Sequence, residues 1–81
     1  MTEKIATFYT HLGALKFHKA LSSHGIDAVM MPVPRKLSAS CGTCVRFSCD
    51  FQKEWADEDL EAVYIHDGDQ KYHLIYSAEE A

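Results

Sequence analysis

No basic tract runs through this chain. Its 8 Lys and Arg are outnumbered by 12 Asp and Glu, and the formal net charge is −4. A weakly acidic chain without clustered cations does not hold nucleic-acid backbones broadly, so no nucleic acid is expected as a partner. No apolar run approaches the ~20 residues of a membrane helix, so no membrane partner is expected either. The first residues lead into a strand-like run and not into an apolar leader with a cleavage site. Together these absences predict a cytoplasmic protein. Cysteine is scarce and odd in number, three in 81 residues, which excludes a disulfide framework. The thiols are therefore reactive, metal-binding or simply buried. There is no internal repeat and no low-complexity segment.

What is present suits one small domain spanning residues 1–81. Apolar residues make up 47% of the chain, enough for a packed core and too much for global disorder. Acidic residues gather late, after Asp50, while most Lys and Arg come early, so a local positive patch near Arg35 and Lys36 fits within the acidic whole. Residues 4–9 (KIATFY) read as a first strand. Thr10 is placed to cap a helix over residues 11–24, with Ala14, Phe17, Ala20 and Leu21 on its apolar face and Gly25 as the left-handed stop. Residues 26–33 read as a second strand, confined to a sheet edge by Pro32 and Pro34. Residues 43–49 (TCVRFSC) read as a third, with Val45 and Phe47 toward the core.

The last third supports two readings. Asp57, Glu58 and Asp59 favour a helix start, and Leu60, Val63 and Tyr64 then share a helical face. Residues 62–66 and 72–76 also pair as a hairpin around Asp67-Gly68. The helix ending near Gly68, followed by a strand over 71–76, is the preferred reading. The resulting order is that of an α+β, ferredoxin-like βαββαβ fold, with two helices on one face of a four-stranded antiparallel sheet. The loop over 35–42 then forms a hairpin end at the sheet rim.

The chemistry concentrates in residues 34–47, PRKLSASCGTCVRF. Cys41 and Cys44 form a C-x-x-C. Arg35, Lys36 and Arg46 bring positive charge, which favours the thiolate, the form that attacks electrophiles. Ser38, Ser40 and the backbone around Gly42 offer hydrogen bonds to it. Cys44 reads either as a resolving thiol or as a thiol on the exposed sheet face. In extended chain its Cα would lie about 10 Å from that of Cys41, beyond the disulfide limit of about 7 Å, so bridging needs a turn. A zinc site needs four ligands; Cys49 lies five residues on and no histidine is near, so no metal and no cofactor is expected. A thioredoxin-type site is also disfavoured, because its C-x-x-C opens a helix and this one opens a strand. The histidines read as solvated surface residues, except His11, which adjoins a helix start where an anion is attracted.

The chain resembles the Se/S carrier-like family of small bacterial proteins, also catalogued as domain of unknown function 3343. The residues that carry the resemblance are Phe8-Tyr9-Thr10, Ala14, Gly25-Ile26, Pro32 to Arg35, Ser38, Ser40-Cys41-Gly42, Arg46-Phe47, Glu58-Asp59-Leu60 and Tyr76. The resemblance implies a carrier and not a turnover enzyme. Cys41 would hold sulfur or selenium as a persulfide or selenosulfide between a cysteine desulfurase-like donor and an acceptor protein. A redox or metal-binding module on Cys41 and Cys44, or a plain interaction domain, are the alternatives.

Overall fold

The computed structural model describes residues 2–69 and 71–79. Strand β1 (Glu3–Phe8) is followed by helix α1 (His11–Ser23), strands β2 (Ala28–Pro32) and β3 (Thr43–Phe47), a single 3-10 turn at Lys53–Trp55, and strands β4 (Leu60–His66) and β5 (Tyr72–Ser77). The sheet order is β2-β3-β1-β4-β5, and every neighbouring pair is antiparallel.

Helix α1 forms where local signals agree. The Thr10 side chain accepts a hydrogen bond from the Gly13 N–H at 3.0 Å, satisfying one of the helix's free amides. At the other end Gly25 takes φ +75°, and the Ile26 and Gly25 amides donate to the carbonyls of Leu21 and Ser22, each at 3.0 Å. This is a Schellman stop, with Ile26 packed against the core cluster to which Leu21 belongs. Gly13, Ala14, Phe17 and Leu21 are buried; Ala20, expected with them, faces solvent. Gly13 replaces it for a steric reason: a Cβ at Gly13 would lie 2.5 Å from the Cβ of Asp59.

Alternation in the strands decides which side chains meet the helix. Ala6 and Phe8 of β1, Val45 and Phe47 of β3, and Leu60 and Val63 of β4 join Phe17 and Leu21 in one core. Phe17 is its centre, with ring centroids 5.2 Å from Phe8, 5.6 Å from Phe47 and 6.2 Å from Trp55.

The first four strands keep the ferredoxin-like order, but among the described residues the second helix is absent and a fifth strand is added. Residues 60–66, expected in that helix, form β4 between β1 and β5. The hairpin reading is the one that holds. The reason lies at Asp57, whose carboxylate accepts from the amides of Asp59 and Leu60 at 2.9 and 3.2 Å and closes a turn instead of starting a helix. Residues 48–59 then cross from β3 to β4 with Cys49, Phe51, Trp55 and Ala56 packed against the core. That segment fills the layer where a second helix would lie.

Among the described residues no helix covers the opposite sheet face, yet Ile5, Thr7 and Cys44 are at most 1% exposed. The β2–β3 loop lies over it. The loop neck is closed by the Val33 amide on the Gly42 carbonyl at 3.0 Å. From there it folds back until Lys36 and Ser38 share a groove with Tyr64 of β4 and Tyr72 of β5. The expected hairpin tip at the rim is therefore a flap across the sheet. The cause is a tertiary anchor at Glu61.

Candidate functional site

The anchor comes from an irregularity in β4. Thr7 faces Ala62 and Phe8 faces Leu60, so Glu61 is the unpaired residue of a bulge. Bulges re-aim side chains. Here both carboxylate oxygens take up Ser40: the Ser40 amide donates at 3.0 Å and its hydroxyl at 2.9 Å. Ser40 is thereby tied to β4 while Gly42 is tied to β2 through Val33. Cys41 is the residue between these two fixed points.

Cys41 is a free thiol, partly exposed. Its neighbour Gly42 opens onto empty space, since a Cβ there would meet nothing within 4 Å. Two residues on, the Thr43 hydroxyl lies 3.2 Å from His11 Nδ1, at the first residue of α1. The start of β3 is thus bound to the start of the helix, and the candidate thiol lies at the end of the sheet where β1 turns into α1. His11, expected to matter through its place at the helix start, is here a partner of Thr43.

The two thiols of the C-x-x-C occupy different environments. Cys44 is wholly buried, with its S–H donating to the Pro32 carbonyl at 3.7 Å. Burial pushes its thiol up to about 11. It points to the face opposite α1, as alternation demands, but the loop covers that face, so it is not the exposed sheet-face thiol expected as one alternative. Cys49 is half-buried against the core.

The cations expected around Cys41 are dispersed. Arg46 lies at the far end of β3, four residues from Gly42 and hence roughly 13 Å along the strand. There it pairs with Glu3 at 3.1 Å. Glu3 also takes His66 Nδ1 at 2.7 Å, and that hydrogen bond, joined by Arg46 and opposed by partial burial, holds its carboxyl below the usual range. Arg35 and Lys36 are exposed and share a recess with Pro34 and Tyr72. Ser38 lies in the adjoining groove. Of the residues singled out in the sequence, the fold brings Ser40, Cys41 and Gly42 together. Arg35, Lys36 and Ser38 form a second group over β4 and β5, and Arg46 belongs to a third with Glu3 and His66.

Sequence reasoning missed Glu61, because reading residues 57–68 as a helix hid the bulge. It also missed the His11–Thr43 contact. Two histidines read as solvated make further contacts: His18 Nε2 lies 3.0 Å from the Ala28 carbonyl, and His66 stacks on Tyr72 with ring centroids 4.7 Å apart. Among the described residues no three His, Cys, Asp or Glu side chains converge as a group that could hold a metal ion. Among them also, no helix is long and apolar enough to cross a membrane.

Comparison with protein families decides the relationship. The model of the family described as "Putative Se/S carrier protein-like" matches residues 3–63. The chain belongs to this Se/S carrier-like family. The match runs from β1 into β4 and includes Cys41, the flap and Glu61; β5 lies beyond it. No curated protein and no solved structure matches the chain.

Proposed function

We propose that this Se/S carrier-like protein holds a sulfur or selenium atom on Cys41 and passes it between partner proteins. One observation carries the assignment to that residue: of the two C-x-x-C thiols, Cys41 is partly exposed at a clamped loop neck, while Cys44 is sealed beneath the flap. Family membership supplies the class of cargo.

Loading is a thiol exchange on a donor persulfide, R–S–SH. The Cys41 thiolate attacks the outer sulfur, forming a Cys41 S–S bond as the donor S–S bond breaks. The donor leaves as R–S⁻, and Cys41 now carries –S–SH. No external oxidant or reductant enters, because the transferred sulfur keeps its oxidation level. An R–S–SeH donor gives the selenosulfide by the same exchange. Unloading repeats the step with an acceptor thiolate attacking the outer atom.

In this reading Cys44 is a packing residue and not a resolving thiol. The Glu61 clamp on Ser40 sets where Cys41 stands, and bare Gly42 leaves room for the extra atom and for the partner's reacting group. Arg35, Lys36 and Ser38 act at a distance, through the partner. The chain catalyses no turnover of its own; a cysteine desulfurase-like donor and an acceptor contribute their active sites. Three unpaired thiols suit a reducing compartment, which supports a cytoplasmic reading.

The test is a mass measurement after incubation with a cysteine desulfurase and cysteine. Parent protein gains one sulfur atom, lost again on reduction. Cys44→Ala gains as much. A Cys41→Ser variant that loads as fully as the parent overturns the assignment.

A further inference from the structure

The loop that ends in Cys41 carries two cations with no use in the fold. Arg35 and Lys36 are exposed, and among the described residues the ion pairs are made by Lys4, Lys16, Arg46, His66 and His73. Neither Arg35 nor Lys36 has an ion-pair partner among the described residues, in a chain of net charge −4. With Pro34 and Tyr72 they line one recess; Lys36 and Tyr72 continue into a groove reaching Ser38 and Tyr64. The two hollows adjoin at Lys36 and Tyr72 and are treated together as a trough across the flap and the edge of the sheet.

The trough has a fixed wall. Tyr72 lies flat on His66, 4.7 Å away with planes 13° apart. His66 is held by Glu3 at 2.7 Å, and the other Glu3 oxygen takes Arg46 at 3.1 Å. The Glu3 carboxylate is thus already engaged and does not neutralise the loop cations. What remains open is a guanidinium, an ammonium, a serine hydroxyl and two phenols on a partly apolar floor. Guanidinium and ammonium groups pair with carboxylates, and phenol and hydroxyl groups donate to them.

We infer that this trough docks an acidic segment of the donor protein that loads Cys41. The inference rests on the carrier reading above. The charge pattern selects the occupant. An acidic partner is repelled by this chain as a whole and attracted at the flap, where two exposed cations stand side by side while Lys19, Lys53 and Lys71 stand singly, so the field turns it toward the loop whose neck holds the thiol. Two cations are too few to hold an anionic membrane, where stable binding takes a larger basic cluster.

Two experiments test it. In the first, a short glutamate-rich peptide is titrated into the full chain and amide shifts are followed by NMR. Shifts at residues 35–38, 64 and 72 are expected. They should be absent with the glutamine counterpart, and binding should weaken about tenfold in Arg35→Glu/Lys36→Glu. In the second, Cys41 is loaded by a cysteine desulfurase and, separately, by a small uncharged persulfide. The double reversal should slow protein-donor loading about tenfold, and salt should slow it in the parent. Loading by the small persulfide should be unchanged, and so should the thermal midpoint. If the small persulfide fails to load Cys41, the carrier reading falls. If it loads while protein-donor loading ignores both charge reversal and salt, the docking inference alone falls. Binding of anionic vesicles in preference to the peptide also overturns it.

Discussion

Alkylation of Cys44 in the native protein should be slower than that of an exposed reference thiol by about three to four orders of magnitude. Two effects slow it, ionisation while the thiol stays buried and access when reagent waits for opening, and the larger sets the rate. A thiol ordinarily near 9.0 and pushed up to about 11 has roughly a hundredfold smaller thiolate fraction at neutral pH. Each thiolate is more nucleophilic when more basic, with a slope of about 0.4–0.5, which returns close to tenfold. Ionisation alone therefore leaves Cys44 about tenfold slow. Access contributes more. Its side chain is 0% exposed under the flap and between β1 and β2, so reagent reaches it only when the structure opens. For a small domain of about 5 kcal/mol stability, that opening is populated on the order of once in 10³ to 10⁴ molecules. The assay is timed labelling with iodoacetamide, quench, digestion and mass spectrometry of the peptide holding Cys41 and Cys44. Cys41 should be modified first, with Cys44 following only in denaturant. Native-state labelling of Cys44 within tenfold of the reference thiol would refute the argument and reopen a dithiol mechanism.

Three further outcomes follow from the same geometry. Stability should fall at alkaline pH: the unfolded Cys44 thiol ionises near 9.0 and the folded one near 11, so up to about 2–3 kcal/mol present below pH 9 is lost across that window. Tyr64, raised by burial and by the Glu61 charge, acts in the same direction. Urea titrations from pH 8 to about 11 check this, and Cys44→Ala should show a shallower decline. Gly13→Ala should destabilise by about 1–3 kcal/mol through the 2.5 Å clash with Asp59, although alanine is the better helix former by about 1 kcal/mol; a rise in Tm would contradict the packing described. Glu61→Ala should release Ser40 and raise amide exchange there about tenfold while the β1–β3 amides stay protected. Unchanged Ser40 protection would mean the flap is held by something else.

The parts of this fold visible in the sequence were those set by local chemistry. Thr10 and Gly25 bound the helix because capping needs only neighbouring residues, and both do so in the structure. Val45 and Phe47 declared their face because β3 alternates. Pro32 marked an edge strand, and β2 is one. The misread element was β4. It lies between two strands with Leu60, Ala62 and Val63 all buried, so alternation is lost and the apolar spacing mimics a helix. The acidic run ahead of it strengthened the error, since an aspartate that caps a helix also closes a turn. The flap was illegible for another reason: its course depends on one bidentate contact between Ser40 and a bulge residue 21 positions away. Proximity in sequence placed Arg35, Lys36 and Arg46 around Cys41, while the folded chain sends them to two other places.

The most direct measurement is the intact mass of freshly isolated protein, kept from reductant, with peptide mapping of any addition. The account predicts a fraction carrying one extra chalcogen atom, mapped to Cys41, removed by reductant and missing from Cys41→Ser. An addition that maps to Cys44 or Cys49, or that persists unchanged in Cys41→Ser, would contradict it.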